Sequence, residues 1–132
     1  MIEALHILGA AIASVLISFV WFHPRVFGTY WRGVVGFSHE QEKRGIRRMP
    51  LYTLIALIGS LLLAYVLEAF AGAWGVVTWF DALGLAFWAW VGFIVPTSLG
   101  TILWEQKPVR FYLVNAGYWL ISFVVMVLIL AL

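Results

Sequence analysis

The stretch Leu51 to Trp74, LYTLIALIGSLLLAYVLEAFAGAW, decides the fold. Apart from tyrosine, Glu68 is its sole ionisable side chain, and as a helix it would rise roughly 36 Å, more than the hydrocarbon core of a bilayer. Pro50 stands at its start, where a missing amide hydrogen costs little. The rest of the chain agrees: of 132 residues 64% are apolar and 11% charged, and the mean hydropathy is +1.02. Soluble domains carry about a quarter of their residues as charges. An integral membrane protein is the expected class. The absence of cysteine excludes disulfides, thiolate metal sites and thiol nucleophiles.

Outward from that stretch, Ala4 to Phe22 carries no acidic or cationic residue beyond His6 and would rise roughly 28 Å. A third apolar run covers about 81–103 and a fourth 109–132. The expectation is one all-α domain over 1–132, a transmembrane four-helix up-and-down bundle with spans at about 4–22, 51–74, 81–103 and 109–132. A cleaved leader would carry cations ahead of its apolar run, whereas here Glu3 precedes it and Arg25 follows. The first helix is therefore expected to be retained.

All eight Lys and Arg fall in residues 23–50 and 104–110. In an up-and-down bundle those segments share one side, and the positive-inside rule puts them in the cytoplasm, with both termini outside. Within 23–50, Val26, Phe27, Tyr30, Trp31, Val34 and Val35 recur at helical spacing, as in a segment lying along a membrane surface. Ser38 and Gln41 have the spacing of a capping box, and Glu40 stands four residues before Arg44, so a short interfacial or cytoplasmic helix is expected there. The cations from Lys43 to Arg48 read as anchors to anionic lipid; the run is too short for a nucleic-acid partner.

Helices in lipid associate through small residues, and three rows at intervals of four stand out: His6, Ala10, Ser14, Ser18; Ala56, Ser60, Ala64, Glu68, Gly72; and Gly84, Trp88, Gly92, Pro96, Gly100. His6 and Glu68 belong to these rows, roughly 24 and 26 Å above the basic boundary on straight helices. An intramembrane cluster of His6, Glu68 and Asp81 is the expected consequence. Such a cluster either fixes helix register or relays protons or cations. No motif such as HExxH supports a metal, and no cofactor is called for. Pro96 lacks the amide hydrogen for the Gly92 carbonyl, so a kink is expected there, with Thr97, Ser98 and Thr101 supplying hydroxyls to freed backbone. Trp88, Trp90 and Trp119 lie deep, where they either pack or stack against a flat hydrophobic ligand or lipid. At the basic end His23, Arg25, Glu105 and Asn115 form a second candidate cluster, with an Arg25–Glu105 ion pair tying the two hairpins and Asn115 seeking a helix partner.

Trp21-Phe22-His23-Pro24 followed by Phe27-Gly28 and Trp31, then Leu103-Trp104-Glu105, Lys107-Pro108 and Asn115-Ala116-Gly117-Tyr118, together resemble the bacterial integral-membrane family called domain of unknown function 1761. The resemblance covers nearly the whole chain. It departs at Trp104, where the family pattern has Phe, and at His23, where a small polar residue is usual. It implies a four-span bacterial integral-membrane protein, and no activity travels with the family name. The functional expectation is a non-catalytic packing or accessory subunit of a homo-oligomer or larger membrane complex, in contact with the lipid bilayer. The alternative is a small oligomeric proton- or cation-coupled transporter or channel using His6, Glu68 and Asp81. No Ser, His and Asp set and no phosphate-cradling loop supports an enzyme.

Overall fold

The computed structural model describes residues 2–131. Every regular element among them is helical: α1 (Ile2–Trp21), α2 (Thr29–Val35), α3 (His39–Arg47), α4 (Met49–Trp74), α5 (Trp79–Ala89), α6 (Gly100–Leu103) and α7 (Val109–Ala131), with π-helical turns at Pro24–Gly28 and Trp90–Ile94. Three stretches, Glu3–Trp21, Met49–Trp74 and Val109–Ala131, are long and apolar enough to cross a membrane. The chain is thus an all-α protein of the multi-span membrane type. The clean four-helix bundle requires correction, because the run expected at 81–103 is not one helix.

Its interruption has a local cause. Pro96 cannot donate to Gly92, and the ladder loosens one turn earlier, where Val95 N–H bonds the Trp90 carbonyl at 3.0 Å, five residues back instead of four. Thr97 Oγ1 donates to the Phe93 carbonyl, and the Tyr112 hydroxyl donates to the Val95 carbonyl at 2.8 Å. Regular helix resumes only for the short α6. Freed backbone is tolerated at membrane depth when side chains satisfy it in this way.

α7 is the hub, packed against α1, α4 and α5. Gly9 lies against Ile129, Ser14 against Ser122 and Trp21 against Val114, so α1 and α7 run antiparallel. Trp90 meets Ala116 and Val95 meets Tyr112, which sets the α5 segment antiparallel to α7 as well. The core is built on alanines from three helices, Ala10, Ala64, Ala71, Ala82, Ala86 and Ala89, closed by Leu67, Leu85, Phe123, Met126, Val127 and Leu130. Small side chains let the backbones approach, which in lipid replaces the missing hydrophobic drive.

The small rows are partly redrawn. On α1 the expected face is the packed one, since Ala10 and Ser14 are fully buried. On α4 the buried stripe is Ala64, Leu67 and Ala71, and Gly72 is exposed. On α5 it is Ala82, Leu85, Ala86 and Ala89, whereas Trp88 is 61% exposed and Gly92 is exposed. A bulky indole in that row could not enter an alanine-lined seam. The α3 capping box is present: Gln41 N–H donates to Ser38 Oγ at 3.2 Å and Ser38 N–H to Gln41 Oε1 at 2.8 Å.

Candidate functional site

The aromatic signature after α1 folds back on itself. His23 is extended and its Nδ1 accepts from Arg25 N–H at 3.1 Å, the task of an N-cap, and so a small polar residue would serve in its place. Pro24 opens the π-helical turn, which closes when Gly28 N–H bonds the His23 carbonyl at 3.0 Å. A Cβ on Gly28 would stand 2.1 Å from the Phe22 carbonyl oxygen, so only glycine fits. The turn packs Trp21 against Phe27 with the rings tilted, centroids 4.8 Å apart, and sets Phe22 between Trp31 and Tyr118, 5.5 Å from each.

The second signature, Asn115 to Tyr118 on α7, receives the first. Trp21 Nε1–H donates to the Val114 carbonyl at 2.9 Å, and the indole ring lies over Gly117. Trp90 Nε1–H donates to the Ala116 carbonyl at 2.8 Å. The Tyr118 hydroxyl donates to the Ser14 carbonyl at 3.0 Å and lies 3.2 Å from Ser14 Oγ, which in turn is 2.8 Å from Ser122 Oγ. Ser14, Tyr118 and Ser122 are all buried, and among the described residues no buried side-chain nitrogen or oxygen lacks a partner. The membrane-interior polarity of this seam is thus spent on joining α1 to α7.

The expected clusters are placed as follows. His6 and Glu68 are both half-buried, and no hydrogen bond joins them among the described residues. Asp81 Oδ2 accepts from Val77 N–H and Thr78 N–H, each at 3.2 Å, while Asp81 N–H donates to Thr78 Oγ1 at 3.2 Å. That carboxylate caps α5. Among the described residues no three or more His, Cys, Asp or Glu gather as a metal site. Arg25 and Glu105 are exposed and form no ion pair among the described residues. The two basic segments are tied elsewhere: Arg110 lies over the Tyr30 ring at 4.8 Å, and Lys107 Nζ donates to the Val34 carbonyl at 3.4 Å. Asn115 is half-buried. Of the three candidate ligand indoles, Trp90 is bonded to Ala116, and Trp119 packs on Tyr118 at 4.9 Å and Phe123 at 6.1 Å. Trp88 alone lines a shallow apolar groove of about 300 Å³, with Phe70, Trp74 and Phe93.

Sequence reading missed a hollow at the basic end. α3 has no buried residue, and beneath α2 and α3 lies a chamber of about 570 Å³. Val15 and Phe19 of α1, Ala56 of α4, Ile46 of α3 and the guanidinium-bearing Arg32 and Arg44 are among its walls. No local spacing announces a hollow between elements distant in sequence. The signal for the seam was available: glycines 28 and 117, each inside an aromatic signature.

Compared with known proteins, the chain matches over residues 5–131 the model of a family described as "Protein of unknown function (DUF1761)". No curated protein and no solved structure matches it.

Proposed function

We propose, on the premise that this chain belongs to the DUF1761 family of proteins of unknown function, that it is a non-catalytic packing or accessory subunit of an oligomeric membrane complex. One observation carries the reading: the aromatic signature after α1 and the Gly117-Tyr118 part of the signature on α7 are consumed by the fold. Trp21 is bonded to Val114, Gly117 lies beneath its ring, Tyr118 is bonded to Ser14, and Gly28 is pressed on the Phe22 carbonyl. A catalytic or transport signature would leave reactive groups free toward a cavity. α4 meanwhile buries only Ala64, Leu67 and Ala71 of its 26 residues, leaving most of its surface to lipid or a partner.

In this reading the segment from Trp79 to Leu103 makes the third of four crossings of a bacterial inner membrane despite its break, the basic segments lie in the cytoplasm, and both termini lie outside. The protein is not an enzyme. Cross-linking in native membranes followed by affinity purification tests the subunit role: a discrete oligomer or fixed set of partners is expected, and a monomer at every cross-linker dose would sink it. Reconstitution with a proton-sensitive dye tests the transport alternative. No flux is expected, and flux abolished by Glu68→Gln would overturn the reading.

A further inference from the structure

We propose that the chamber beneath α2 and α3 binds one anionic phospholipid, its phosphate at Arg32 and Arg44 and an acyl chain along Val15, Phe19 and Ala56. The volume of about 570 Å³ is that of a ligand pocket, and its lining is graded. Val15 and Ala56 lie six and seven residues inside the ends of α1 and α4 at Trp21 and Met49, so the apolar part reaches about 10 Å along the spans from the basic boundary. The other end is framed by α2 and α3, which contribute Arg32 and Arg44. A site with mainly apolar walls at membrane depth and two arginines in its lining at the basic end matches an amphiphile, not a soluble anion.

Two further facts point to an occupant. Neither arginine pairs with a carboxylate among the described residues; the Glu40–Arg44 pair that the helical spacing predicts is not formed, and Glu42, the one carboxylate in the wall, bonds neither arginine. Ile46 is the only large aliphatic side chain of α3, and it lines the chamber while 74% exposed. Phe37 and Met49 line it as well and are 39% and 49% exposed. An acyl chain would cover this apolar surface, and the leaflet touching the basic end supplies that chain at high local concentration.

Native mass spectrometry of the full chain released from micelles holding equal amounts of phosphatidylglycerol and phosphatidylcholine tests the site. One phosphatidylglycerol is expected to be retained in preference. Arg32→Gln and Arg44→Gln are each expected to lower that preference about fivefold. Ala56→Phe, at an exposed position, is expected to lower retention of both lipids by filling the apolar end. Lys43→Gln with Arg48→Gln, which removes surface-anchoring charge outside the chamber, is expected to lower the preference by less than either chamber variant. Equal retention of the two lipids would overturn the proposal. So would a loss in Lys43→Gln/Arg48→Gln matching that of the chamber variants, which would mean diffuse surface attraction, or full displacement by inorganic phosphate, which would mean a site for the headgroup alone.

Discussion

Trp21 is docked on Gly117: its Nε1–H donates to the Val114 carbonyl at 2.9 Å, and its ring edge stands 3.2 Å from where a Gly117 Cβ would be. The bond fixes the ring, and the missing side chain admits it. Gly117→Ala therefore sets a gain in helix propensity of about 1 kcal/mol against a ring that must yield a few tenths of an ångström, so its net effect should be small. Gly117→Val cannot be absorbed in that way and should cost about 1–3 kcal/mol. Thermal unfolding in detergent measures both. In a double-mutant cycle Trp21→Phe and Gly117→Val should be non-additive, since the first loosens what the second displaces; additive losses would separate the two residues.

Gly28→Ala should be the most damaging glycine substitution in the basic segment. Its Cβ would meet the Phe22 carbonyl at 2.1 Å, a backbone atom that cannot swing aside, so the Pro24–Gly28 turn must open, at about 3 kcal/mol or more. Gly33 and Gly45 are the controls. Both are helical with nothing within 4 Å of where an added methyl would stand, so Gly33→Ala and Gly45→Ala should be neutral or stabilise by up to about 1 kcal/mol. Equal midpoints for all three variants would remove the steric account of the signature glycine.

What was legible divides along a physical line. Apolar runs and capping boxes are local, so the spans of α1, α4 and α7 and the Ser38–Gln41 box could be read directly. The face each helix buries depends on its neighbours. On α1 the small row coincides with the packed face because Ser14 finds Ser122 there. On α5 small residues occur on two faces, and the one carrying Trp88 stays outside while Ala82 and Ala86 enter the core. The break after Ala89 involves both Pro96, which was visible, and Tyr112 and Ala116 on α7, whose arrival was not. The same holds at the basic end, where Arg110 on Tyr30 joins the segments that Arg25 and Glu105 were expected to join.

The Ser14 network should behave as a unit. Ser14→Ala leaves Ser122 without its hydroxyl partner in a buried setting, and interhelical bonds of this kind contribute about 0.6 to 2 kcal/mol. Tyr118→Phe removes the donor to the Ser14 carbonyl and should cost a similar amount. Ser14→Ala combined with Ser122→Ala should cost less than the sum, because removing both hydroxyls leaves nothing unsatisfied. Urea or detergent-ratio unfolding of these three variants and of Ser122→Ala alone checks this, and strict additivity would mean that the hydroxyls do not act on one another.

Asp81 separates a capping role from a transport role. Its carboxylate and the Thr78 hydroxyl serve each other's backbone amides at the start of α5, so Thr78→Ala should destabilise by about 1 kcal/mol. Asp81→Ala should lower the thermal midpoint in the same direction, and Asp81→Asn, which keeps an acceptor oxygen, should lower it less. Because the two side chains form one reciprocal box, the double variant Thr78→Ala/Asp81→Ala should fall short of the summed losses. Proton movement in reconstituted vesicles should be the same for wild type, Asp81→Asn and Asp81→Ala. A carboxylate on a conduction path would give the reverse pattern: unaltered unfolding for Asp81→Asn together with a changed flux, and that result would return Asp81 to the candidate relay with His6 and Glu68.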